Sequence, residues 1–309
     1  MKTAFILIIT LMSLSCTHSQ EDLPEVSQGS IQRIPDFKSN YVTARNIDIW
    51  LPDDYSKNKR YSVLYMHDGQ MLYDAKDSWN KQSWEMDEAA HQLYKRDACS
   101  KEFIIVGIWN GGETRHSDYF PQKPFEMLTK DERNIVSEQL KQSHVPLESS
   151  FTPTSDNYLK FIVRELKPHI DEMFNTYTDK DNTYIAGSSM GGLISIYALC
   201  EYPQVFGGAA CLSTHWPGTF TLENNPIPNA FKQYLKNNLP DPATHKLYFD
   251  CGDETLDALY PEIQKEVDFI IKEKGYTAKN WRTGYFPGEN HSENAWRDRV
   301  IIPLEFLFQ

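Results

Sequence analysis

The sequence predicts an α/β fold, a mostly parallel central sheet covered by helices on both faces, on three observations. Short β-branched and aromatic runs alternate with longer helical patterns. The runs are Val42–Leu51, Tyr61–His67, Glu102–Trp109, Thr183–Gly187, Phe206–Ser213, Lys246–Cys251 and Asn280–Phe286. Some, such as Phe103-Ile104-Ile105-Val106-Gly107-Ile108, are continuously apolar, as a strand buried on both faces must be. Finally, Gly187-Ser188-Ser189-Met190-Gly191 sits between an apolar strand and a helical run, where a strand must turn sharply into a helix.

Taken in order, Lys2 and the apolar run Ala4–Met12 have the make-up of an export signal. The run is too short to span a bilayer as a stable helix. It ends in Ser13-Leu14-Ser15-Cys16, which resembles a bacterial lipoprotein signal with Cys16 as the lipidated first residue. Ser13 departs from the aliphatic residue usual there, and plain secretion with cleavage near Ser15 is the competing reading. Residues 1–16 are thus expected to be the signal, 17–40 a tether, and 41–309 the folded domain. The protein is then expected in the periplasm or on the cell surface, held to the membrane only by lipid on Cys16.

Within the domain, residues 111–154 are long for a connection. They contain a helical piece, Lys130–Gln142, and are expected to form a cap over the site. From Ser155 to Phe174, apolar residues recur at Tyr158, Ile162, Leu166 and Ile170, one face of a helix with Ser155 as its cap. Pro168 is expected to kink that helix.

Composition bounds the function. Hydrophobic residues make up 40% and charged residues 24% of the 309, ordinary for a soluble globular chain long enough for one large core. The formal net charge is −12, with the acids dispersed. Phosphate binding needs a basic footprint, so nucleic acid is not expected as a partner. Beyond Cys16, the cysteines Cys99, Cys200, Cys211 and Cys251 lack the dense spacing of a disulfide framework. They read as buried thiols. His291-x-Glu293 is a weak pair without further ligands, and no phosphate-binding Gly loop is present. No metal or cofactor is expected.

The Gly-x-Ser-x-Gly elbow makes Ser189 the candidate nucleophile. Its place at a helix N-terminus favours developing negative charge. A serine hydroxyl needs a base, and in the α/β-hydrolase fold the chain order is Ser, acid, His. Among the histidines beyond Ser189, only His291 follows the last strand, in the turn-rich Phe286-Pro287-Gly288-Glu289-Asn290-His291; His215 and His245 come too early. The acid should follow Lys246–Cys251, where Asp250, Asp253, Glu254 and Asp257 are available. Asp257, entering a helix, is preferred, and Asp253 and Glu254 stay open. The oxyanion hole needs two backbone N–H groups, one from Met190 and one from the loop after Tyr61–His67, which points to Gln70 beyond Asp68 and Gly69.

At these residues the sequence resembles the esterase D-like family of α/β-hydrolases. That family includes carbohydrate esterase family 1 (feruloyl and acetylxylan esterases), enterochelin esterases and mycolyltransferases. The likeness runs from about Asn46 to the C-terminus. It rests on Val63–Gln70, Ile105–Ile108, Arg115–Pro121, Gly187–Gly192, Tyr248–Gly252 with Leu256-Asp257, and His291 with Trp296-Arg297. The resemblance implies a serine esterase with Ser189, Asp257 and His291 as triad and Gln70 and Met190 as oxyanion donors. Asp253 stands where the family often has Thr. The expected partner is a small-molecule or oligosaccharide ester, and the expected substrate is an acetyl or feruloyl ester on a carbohydrate. The rivals are a siderophore ester hydrolase, an acyltransferase and a non-catalytic glycan-binding lipoprotein. Asp68, Trp109, Arg115 and Trp296 are candidate substrate contacts, with Trp84 and Tyr119 as further flat faces.

Overall fold

The computed structural model describes residues 23–76, 78–96, 100–145 and 150–309. The export signal, Cys16 and Cys99 lie outside the described residues. Eight strands form one sheet in the order β1-β2-β4-β3-β5-β6-β7-β8. They are β1 (Ser30–Phe37), β2 (Arg45–Leu51), β3 (Ser62–His67), β4 (Phe103–Ile108), β5 (Thr183–Ser188), β6 (Gly208–Leu212), β7 (Lys246–Cys251) and β8 (Trp281–Tyr285). From β4 through β8 neighbours are parallel, while β1 and β2 run antiparallel at one edge.

Every residue of β3, β4 and β5 is buried. Their side chains alternate between two cores, as the pleat requires. Val63, Tyr65, Ile104, Val106 and Ile185 belong to one; Leu64, Met66, Phe103, Ile105 and Tyr184 belong to the other. The helices Ser155–Phe161, Ile227–Asn238 and Pro261–Glu273 cover the first face. Met86–Lys95 and Ile301–Phe308 cover the second.

Two expectations are corrected. Residues 30–37 are not tether but β1, in antiparallel register with β2. Arg33 on β1 forms a two-pronged ion pair with Asp48 on β2, at 2.7 and 2.8 Å, so the domain begins before residue 41. Ser155 does not cap its helix; Thr154 holds that position, and Ser155 Oγ accepts from the Gln122 N–H at 2.9 Å. Around Pro168 the chain forms a π-helical turn over Ile162–Leu166 before resuming as Lys167–Met173. The wider turn accommodates a residue that has no N–H and would clash with the carbonyl four residues back.

The helix Lys130–Gln142 lies where the periodicity put it. Thr129 and Glu132 close it with a capping box, the reciprocal pairing that satisfies the first free N–H groups. Cys200, Cys211 and Cys251 are buried free thiols. No helix among the described residues is long and apolar enough to cross a membrane.

Candidate active site

The parallel strands end on one side of the sheet, at a cleft of about 900 Å³. Ligands of open α/β sheets bind at this carboxyl edge. Ser189, Met190, Gln70, Asp68, Arg115 and His291 all line it.

Ser189 follows β5 directly and has φ 57° and ψ −122°, a strained conformation for a residue with a side chain. Tight packing enforces it. A Cβ on Gly187 would stand 2.8 Å from the Gly191 carbonyl carbon, so only glycine lets the elbow close. Backbone bonds hold the turn: Ser189 N–H donates to Leu212 O at 2.9 Å, and Ser189 O accepts from His215 N–H at 3.1 Å. Met190 opens the helix Met190–Glu201, and Gln70 lies in the short turn Gly69–Met71. Both N–H groups stand in first turns, where no intrahelical carbonyl reaches them.

His291 Nδ1 is 2.6 Å from Asp257 Oδ1. Asp257 has no exposed surface. Its other oxygen accepts from Ser213 Oγ and from Gly252 N–H, both at 2.6 Å. These donors satisfy the oxygen that His291 leaves free. Trp296 packs edge-on against His291, with ring centres 4.9 Å apart.

The rival acids have other tasks. Asp253 accepts from Tyr285 Oη at 2.6 Å and from Gly288 N–H at 2.7 Å. The Asp253 and Glu254 N–H groups both donate to Glu289 O. This turn thereby docks the loop that carries His291. Gly252 is needed there, since a Cβ would stand 2.1 Å from Glu289 O. Asp250 is buried against Arg299, 3.1 Å away.

The expected substrate contacts divide. Asp68 takes a two-pronged contact from Arg115 at 2.7 and 2.8 Å, and Asn110 Nδ2 donates to it at 2.7 Å. Burial alone would raise the Asp68 carboxyl, but the Arg115 guanidinium outweighs it and holds the pKa below the ordinary value. Burial lowers His67 to about 3 and His116 to about 4, so both are neutral here. Trp109 is corrected: its indole N–H donates to Asp48 Oδ2 at 2.8 Å and Arg33 lies 4.7 Å over its ring, so it packs at the β1–β2 edge. Trp296 lines the cleft but is only 4% exposed and stacks on Trp84. Trp84 and Tyr119 are buried as well.

Sequence reasoning missed Trp79, 85% exposed at the cleft. It also missed Ser213, which ties Asp257 to Trp296 through a 2.9 Å bond from the indole N–H. No periodicity or motif marks either one; the folded loop positions both. The cap expectation holds only at its start. Arg115 and His116 line the cleft, whereas Lys130–Gln142 packs aside, with Gln139 bonded to Thr219 and Glu223. Among the described residues no three His, Cys, Asp or Glu side chains converge as a metal site.

Comparison with known proteins gives the family and the fold. Residues 41–301 match the family described as "Putative esterase". The chain is 23% identical over 271 residues to the protein YbbA of Bacillus subtilis (strain 168), covering 85% of this chain and 92% of that one. It is 25% identical over 297 residues to an endo-1,4-beta-xylanase/feruloyl esterase of Xylanibacter ruminicola, covering 92% of this chain and 32% of that longer one. Among solved structures, a ferulic acid esterase of Anaeromyces mucronatus superposes with a TM-score of 0.61 at 18% identity, covering 92% of each chain. The enterobactin esterase of Shigella flexneri gives 0.63 at 17% identity, covering 92% of this chain and 60% of that one. The chain therefore belongs to the esterase family and has the α/β-hydrolase fold.

Proposed function

We propose that this protein hydrolyses carboxylic esters through an acyl-enzyme on Ser189. The observation that carries the reading is the 2.6 Å contact between His291 and buried Asp257, in the cleft where Ser189 stands on a strained elbow. Asp257 binds Nδ1–H of His291 and leaves Nε2 free as base. Nε2 takes the Ser189 proton as Oγ bonds to the ester carbonyl carbon. The carbonyl oxygen becomes negative and is met by the Gln70 and Met190 N–H groups. Each such donor is worth about 3 kcal/mol in the barrier. Collapse breaks the bond to the alcohol, which leaves with the proton from His291. Water then attacks the acyl-enzyme by the same route and releases the acid.

The substrate we propose is an acetyl or feruloyl ester on a carbohydrate. The feruloyl esterase named among the relatives supports it, as does a cleft with an exposed indole at Trp79 and a cation at Arg115. Arg115 also favours a second reading, an enterochelin-type siderophore ester, because a guanidinium suits an acidic ligand. On the sequence alone we further propose that the protein is exported and anchored through lipid on Cys16.

Fluorophosphonate labelling of wild type and Ser189→Ala, with kcat/KM on acetyl, feruloyl and siderophore esters, tests the reading. Labelling and turnover are expected in wild type and lost in the folded variant. Substantial turnover in folded Ser189→Ala would remove Ser189 as nucleophile. A wild type that neither labels nor turns over would leave the glycan-binding lipoprotein.

A further inference from the structure

Ser189, His291 and Asp257 share one neighbour that the mechanism above leaves unused. Tyr260 follows the turn Thr255–Leu259 and has no exposed surface. Its backbone N–H donates to Asp257 O at 2.9 Å. Its ring meets His291 edge-on, with centres 5.8 Å apart. Its hydroxyl lies 2.7 Å from His215 Nδ1, and Ser189 is among the groups that act on its phenol. His215 is tied to the same place through its backbone bond to Ser189 O. Packing alone does not require this hydroxyl, since phenylalanine would fill the space without a polar atom that needs partners.

Proton counting gives the arrangement a direction. Burial, with His291, His116 and Arg115 nearby, keeps His215 well below its ordinary pKa and therefore neutral. Burial, then the Asp257 charge, keeps the Tyr260 phenol protonated. Each group thus carries one mobile proton. We propose that Tyr260, anchored on His215, is a positioning residue that holds the Ser189 hydroxyl toward His291. With the His215 proton on Nδ1, donors run one way: His215 to Tyr260, Tyr260 to Ser189 Oγ, Ser189 to His291 Nε2, and His291 Nδ1–H to Asp257. In the opposite His215 tautomer, Nδ1 accepts a hydrogen bond from the Tyr260 hydroxyl, and the phenol oxygen then accepts from the Ser189 hydroxyl and turns it away from its base. The proposal rests on Ser189 being the nucleophile.

Tyr260→Phe keeps the buried ring and removes the hydroxyl. We expect kcat to fall by about ten- to hundredfold, the scale of a small misplacement of a reacting group. KM should stay nearly unchanged and the rate of fluorophosphonate labelling should fall in parallel. Because His215 acts through Tyr260, His215→Phe should give a similar loss, and the double variant should lose no more than the worse single one. A second measurement needs no variant. In ¹⁵N-histidine-labelled wild type, phosphonylation of Ser189 should shift the His215 ring resonances and leave those of His245, bonded to Pro203 O, in place. Unchanged kcat in Tyr260→Phe, additive losses, or His215 resonances blind to Ser189 modification would each overturn the proposal. A wild type that takes up no phosphonate would overturn the serine-esterase reading instead.

Discussion

Asp257 and Asp253 lie on the same short loop, yet their environments set them apart. Asp257 is buried and bonded to His291, whereas Asp253 braces the loop behind it. Asp257→Asn should lower kcat by about 10⁴-fold, since the histidine is then held in the wrong tautomer. Asp253→Asn should cost far less, because the Glu289 contacts remain; steady-state kinetics on one soluble ester would reverse the assignment if the order came out otherwise. The Asp68–Arg115 pair is testable by pH. The folded pKa of Asp68 lies below its ordinary 3.8, so its stabilisation is complete above that value and lost as pH falls through the folded pKa. In Arg115→Met, burial acts on Asp68 without the guanidinium. The loss should be about 1.5–3 kcal/mol at neutral pH, the range for a hydrogen bond to a charged group, and should shrink on acidification. A Tm deficit independent of pH would refute that account. At this scale the elbow at Ser189 and the loop that carries His291 were legible from motif and chain order, whereas which carboxylate meets His291 needed the contact itself. Four carboxylates in one stretch differ in partners, and partners are not written in local sequence.

Among elements, β1 was the main surprise. Its burial alternates irregularly, so no clean period of two betrays it, and its stability comes from pairing with β2 and from Arg33–Asp48. Just upstream, Asp87 on the helix Met86–Lys95 accepts from Ser27 N–H at 2.8 Å, fastening the entering chain to the domain. Burial first, and the Glu88 carboxylate second, raise Asp87 from 3.8 to about 7. The native state then binds more protons than the unfolded chain between those values, so this group's contribution to stability falls as pH rises from about 4 to 7. Asp87→Asn keeps an acceptor and removes the charge. It should raise Tm at pH 8 and flatten that decline, and a lower Tm at pH 8 would mean that the charge itself is needed. The helix Lys130–Gln142 was legible because Thr129 and Glu132 form a local cap. Its place away from the cleft was not, since packing partners such as Thr219 and Glu223 lie far along the chain.

For the whole molecule, export and substrate are the open predictions. Cys16→Ser should release the protein from the membrane fraction without harming hydrolysis of soluble esters, because stable anchoring needs more than one acyl chain at that residue. Unchanged partitioning, or no lipid on the wild-type N-terminus by mass spectrometry, would favour plain secretion. Acetyl and feruloyl esters should exceed long-chain acyl esters in kcat/KM. Arg115, Asp68 and Asn110 crowd one wall of the cleft with charge and amides, and a methylene gains about 0.8 kcal/mol only where an apolar slot buries it. A preference of about tenfold or more for long chains would move this enzyme toward the lipases. The sequence by itself determined the α/β class, seven of the eight strands and the nucleophile elbow. Those features rest on local periodicity and on the close approach that glycine alone permits. Only the tertiary structure decided which acid meets His291, that Trp109 faces away from the cleft while Trp79 faces it, and that Tyr260 and His215 stand beside Ser189. These depend on contacts between residues far apart in the chain, and their geometry exists only once the sheet has brought its loops to one edge.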